Sequence, residues 1–76
     1  MEIYELIVIK RDSAEKFYLV PKDGYLQAYY QKLDGSFEKL KRVGSTWQNV
    51  TNVDFTKVHK SNMPLILEKI VEAENI

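Results

Sequence analysis

Histidine is the side-chain type that titrates near neutral pH, and this chain holds one, His59. A general base needs a partner that orients its ring, and Asp54 is the nearest carboxylate in sequence. In an extended strand, positions five apart point to opposite faces, so the two side chains do not meet as a dyad. His59 is therefore read as a polar residue at a strand end. One histidine and no cysteine cannot supply the ligand set of a zinc site, and without cysteine there is neither a thiolate nucleophile nor a disulfide. No metal and no cofactor is expected.

Glu68 and Glu72 stand four apart, the spacing of an acid and base pair on one helix face. They fall opposite the apolar stripe described below, as two solvated like charges that mildly repel. Gly24, Gly35 and Gly44 are isolated, so no glycine-rich loop can cradle a phosphate. Asn49-Val50-Thr51 matches a glycosylation triplet without the secretory signal that would make it meaningful. With no constellation left, the expectation is a protein that is not an enzyme.

Charge is more informative than catalysis. Residues 10–42 hold eight cations against five anions, while the first nine and the last sixteen residues are each net negative by two. Lys32, Lys39, Lys41 and Arg42, with the tyrosines of the hairpin 25–43, could pair phosphates with stacked bases, the way small β-domains hold single-stranded nucleic acid. Against this stands the balance of eleven cations and eleven anions, which lacks a nucleic-acid binder's basic footprint. Nucleic acid is the second choice of partner.

The aromatic residues carry the first choice. Tyr25 and Tyr29 share one face of a strand and Tyr30 takes the other, so this strand bears large side chains on both sides. A single helix covers one side only. Either the sheet curls to bury the second set, or that set is a docking surface; Trp47, in a polar segment, poses the same alternative. Tyr25, Tyr29 and Trp47 are thus the candidate protein-binding residues.

The elements that must position these groups follow from periodicity. Ile3–Ile9 is a nearly continuous apolar run, the pattern of a central strand covered on both faces. Lys10–Glu15 breaks it, and Lys16–Pro21 forms a second strand that Pro21 ends. Asp23-Gly24 and Asp34-Gly35 are turn signals on either side of the strand Tyr25–Lys32, with Ser36–Val43 as its return. Gly44–Asn49 reads as a loop, and Val50–Lys60 offers a further strand. After a cap at Ser61 or Asn62, Met63, Ile66, Leu67, Ile70 and Ala73 recur at helical spacing, while Glu68, Lys69, Glu72 and Glu74 point away. Leu6, Val8 and Ile70 are expected to face one another in the core.

The expected architecture is α+β, an antiparallel meander of about five strands with a C-terminal helix packed on one face. An SH3-like small β-barrel with a helical tail is the alternative. At 76 residues the chain forms one domain, 1–76, too small for a deep enclosed cavity. A core of this size supplies only a few kcal/mol, which makes a homodimer expected alongside a larger protein partner. The start of the chain lacks the charged region of a signal peptide and no apolar run reaches ~20 residues, so a cytoplasmic protein without a membrane span is expected. The function these features point to is a small accessory or inhibitory protein-binding module that acts through a sheet face or edge.

Overall fold

The structure is a computed structural model that describes residues 2–43 and 55–75. It is α+β. Strands β1 (Tyr4–Lys10), β2 (Ser13–Lys22), β3 (Tyr25–Gln31), β4 (Phe37–Val43) and β5 (Phe55–Lys57) form one antiparallel sheet in the order β4-β3-β2-β1-β5. A 3-10 turn, Lys60–Asn62, leads into helix α1 (Met63–Glu74). The first four strands are a meander, and β5 returns to pair with Tyr4–Leu6 of β1. Among the described residues β4 and β5 do not pair; closing these two edges is what an SH3-like barrel would add. The Val50–Asp54 part of the expected last strand, the loop at Gly44–Asn49 and Trp47 lie outside the described residues.

Two turns follow from local chemistry. Lys10 pairs with Ser13 and Lys22 with Tyr25, so each of the first two hairpins closes over two residues, Arg11-Asp12 and Asp23-Gly24. Gly24 takes φ 78°, where a side chain is strained, and Gly35 takes φ 89° in the β3–β4 turn. In that turn the Asp34 carboxylate accepts from the Ser36 backbone N–H at 2.9 Å and from its hydroxyl at 2.6 Å.

β2 is longer than its apolar stretch at both ends. Pro21 does not terminate it but pairs with Leu26. The two-residue loop makes Lys22–Tyr25 the hydrogen-bonded closing pair, so the next pair is a non-bonded one and the missing Pro21 donor faces the β1 side. There the ladder stops at Tyr4–Leu19, and no bond is lost.

The core lies between α1 and one sheet face. Ile3, Tyr18, Val20, Tyr29 and Phe37 meet Ile66, Ile70 and Ala73, with Met63 and Leu67 packed at the margin. The Tyr18 and Phe37 rings stack at 4.8 Å between centroids, and Tyr29 approaches Phe37 at 6.5 Å. The helical stripe is thus the one expected, except that Glu74 turns inward to the sheet. The strand facing it is out of phase with expectation. Glu5 pairs with Tyr18 on the helix side, which sends Leu6 and Val8 to the opposite face, where they line a groove that no helical residue touches. Nor is β1 covered on both faces along its length. Its helix-side residues Ile7 and Ile9 are 45% and 81% exposed, and β5 pairs only with the first half of its edge.

β4 carries a bulge. Tyr29 pairs with Lys39 but Gln27 pairs with Arg42, so two steps of β3 oppose three of β4. The extra residue disrupts the ladder beside Ala28. Buried Gln27 repairs it, its side-chain amide donating to the Leu40 carbonyl at 2.7 Å.

Candidate functional site

The sheet face away from α1 holds an apolar groove of about 400 Å³. Its walls are Leu6 and Val8 of β1, Phe17 and Leu19 of β2, Ala28 of β3 and Leu40 of β4, and it ends at Lys41 and Arg42. Strand alternation builds it. The register places Leu6 against Phe17, so even positions of β1 and odd positions of β2 share this face. The small Ala28 leaves the depression between its larger neighbours, Leu40 faces it by alternation from Lys39, and the bulge adds Lys41 to its β4 side. Leu19 and Ala28 are buried, while Leu6, Val8, Phe17 and Leu40 are half-exposed. Phe17 leans on Tyr30 at 5.4 Å between ring centroids. The groove wall is almost wholly hydrocarbon, and it offers apolar contact at the floor and positive charge at one end.

The tyrosines singled out from sequence divide differently. Tyr29 has 0% exposure, its ring sealed beneath α1, so it belongs to the core and presents no surface. Tyr25 is half-buried, with the Arg42 guanidinium 4.2 Å from its ring centroid. Sequence reasoning does not assemble the groove residues Leu6, Val8, Phe17 and Leu40, although Phe37 and Leu40, three apart in one strand, fall on opposite faces and so signal an apolar residue on the face away from the core.

The four cations do not form one patch. Lys39 sits on the helix side, 2.9 Å from the Glu74 carboxylate. The bulge returns Arg42 to the same side as Gln27 and Tyr25, Lys41 lines the groove, and Lys32 follows β3 in the turn. Parity alone would have separated Arg42 from Lys39; the inserted residue reverses that.

On the helix side a second depression of about 390 Å³ is lined by the oppositely charged Glu5 and Lys16, with Tyr18, Gln31, His59 and Leu65. The Tyr18 hydroxyl donates to Glu5 at 3.0 Å, and burial, then this bond, pushes the phenol up to about 12. His59 has a local role. Its Nδ1 accepts from the Ser61 backbone N–H and lies 2.8 Å from the Ser61 hydroxyl, capping the 3-10 turn that precedes α1. Asp54 lies outside the described residues. Among the described residues no three carboxylate or imidazole groups converge in a way that would hold a metal ion, and no helix is long and apolar enough to cross a membrane.

Among the described residues these features define an α+β domain, a five-stranded antiparallel sheet with one α-helix, that bears an apolar groove on the face away from that helix. Set against protein-family models, curated protein sequences and solved structures, the chain matches none of them.

Proposed function

We propose that this chain is a non-enzymatic protein-binding module, an accessory or inhibitory factor of the cytosol, that holds a larger partner in the groove on its helix-free sheet face. The observation that supports this is the hydrocarbon groove itself, open across four strands and flanked at one end by Lys41. Its occupant is a segment of the partner with apolar side chains for the Leu6, Phe17 and Leu40 wall and carboxylates beside the cationic end. Tyr25 and the Arg42 guanidinium stacked on it lie on the helix side of the sheet and stand outside this groove. Single-stranded nucleic acid stands second, because Lys32, Lys39, Lys41 and Arg42 are dispersed and Lys39 is engaged by Glu74.

The test is affinity capture from the native cells with nuclease present, using wild type, Leu40→Glu and Phe17→Ser as baits. One retained protein should be lost from both variants while their circular dichroism stays native. Calorimetry with that purified partner should then show a negative heat-capacity change, the mark of apolar burial. Equal retention by the folded groove variants, or loss of all retained material on nuclease treatment, overturns the reading.

A further inference from the structure

A second apolar surface lies on the other side of the sheet, where α1 stops short. Ile7 and Ile9 of β1 project there at 45% and 81% exposure, Leu33 stands fully exposed in the β3–β4 turn, and Leu65 flanks them from the helix at 57%. Ile7 and Leu33 line one depression with Lys16 and Gln31, and the same Lys16 and Gln31 border the depression that holds Leu65, so the surface is continuous. Ile9 extends it along the strand, two residues beyond Ile7 on the same side. Large aliphatic side chains left this open, side by side, mark an association surface rather than scattered surface residues.

We infer that a second copy of this chain covers this patch, in a two-fold dimer. The rim argues for a copy rather than a charged partner. Each hairpin tip beside the patch carries one cation and one anion, Arg11 with Asp12 and Lys32 with Asp34. A two-fold axis places a residue against its counterpart's neighbour and the reverse, so each cation can meet an anion of the other copy with no net repulsion. The opposite groove has a single-sign end and lacks this property. Lys16, the cation within the patch, adds the apolar length of its stem while its ammonium reaches water. A standard interface takes about 800 Å² from each partner, roughly a seventh of the chain's 5712 Å², which the patch and its two hairpin tips can supply.

The experiment is sedimentation velocity from low to high micromolar concentration, with wild type, Ile9→Asp, Leu33→Asp and the control Val71→Asp. Ile9 and Leu33 are too exposed for their loss to unfold the monomer, and Val71 is exposed on the other flank of α1, about 120° from Leu65 around the helix axis. Wild type and Val71→Asp should rise from 8.9 kDa to twice that mass. Each patch substitution occurs twice in a two-fold dimer and should weaken association about 100-fold. A wild type that stays at 8.9 kDa throughout, or Ile9→Asp and Leu33→Asp variants that associate like wild type, overturns the inference. The groove variants above leave this patch intact, so failure of the docking reading would not mimic either result.

Discussion

Replacing Tyr29 by Phe should weaken the attachment of α1 to the sheet, because it removes one hydroxyl and little else. That hydroxyl donates to Glu74 Oε1 at 2.5 Å, and the Lys39 ammonium lies 2.9 Å from the other carboxylate oxygen, so the last turn of α1 is tied to β3 and β4 together. A hydrogen bond to a charged acceptor contributes about 1.5–3 kcal/mol net, but the Glu74 side chain is 37% exposed and water competes, so about 1 kcal/mol is expected. Opposing it, a carboxylate in the last helical turn meets the negative end of the macrodipole at a cost of about 0.5 kcal/mol. Glu74→Gln should therefore lose less than Tyr29→Phe, and in the double-mutant cycle the pair should couple by about 1 kcal/mol. The Tyr29 bond first, then Lys39, holds the Glu74 carboxyl below its usual value of 4.5. A depressed folded pKa contributes stability that is present above 4.5 and lost as pH falls through the folded value, so the wild-type advantage over Tyr29→Phe should shrink below about pH 4. Burial, then Glu74, raises the Tyr29 phenol, whose contribution is present below its usual 10 and is lost as pH rises beyond it. Urea titration across pH measures both limbs. Additive single substitutions at pH 7, or a Tyr29→Phe loss unchanged between pH 7 and 3, would refute the latch.

Ile70→Ala should cost about 2–4 kcal/mol and Glu72→Ala nearly nothing, with half-exposed Leu6→Ala between them at about 1–2 kcal/mol; equal losses at Ile70 and Glu72 in urea titration would place the wrong helix face in the core. Binding to a single-stranded oligonucleotide should stay weak even at low salt, because the four hairpin cations are dispersed. A filter-binding isotherm that is tight and has a log-log salt slope of about −2 to −4 would promote the nucleic-acid reading.

The elements were legible where one rule dominated. The stripe Met63, Ile66, Ile70, Ala73 has a single helical solution, and the Asp-Gly pairs mark turns because glycine supplies the positive φ they need. β1 was harder, because Ile3, Leu6, Ile7, Val8 and Ile9 are all apolar and a run without alternation does not say which parity meets the helix. The pairing of Glu5 with Tyr18 decides it, and that is a contact thirteen residues apart. Helical geometry alone makes Glu74 a solvated charge; its partner Tyr29 lies forty-five residues away, beyond the reach of any local rule. The groove depends on the parity of β1, which brings Leu6 and Val8 to the face that holds Phe17, Ala28 and Leu40, and on the bulge of β4, which adds Lys41.

The two uncovered surfaces have a joint consequence because they lie on opposite sides of one thin sheet. A dimer that closes over Ile7, Ile9, Leu33 and Leu65 leaves both grooves outward-facing, one per copy, with Lys41 at the end of each. The dimer is then bivalent. A partner that carries two suitable segments, or is itself a dimer, engages the second groove at the effective concentration set by the first, which can raise avidity by about 10² to 10⁴ without any new contact. A modest groove, about 400 Å³ and open to water, can thereby hold a partner firmly although no single site encloses it. Dimerisation and docking also become separable in their effects: Ile9→Asp should lower avidity for a bivalent partner while leaving affinity for a single segment unchanged, whereas Leu40→Glu should lower both. The difference arises because the first substitution changes only how many grooves a particle carries, and the second changes the groove itself.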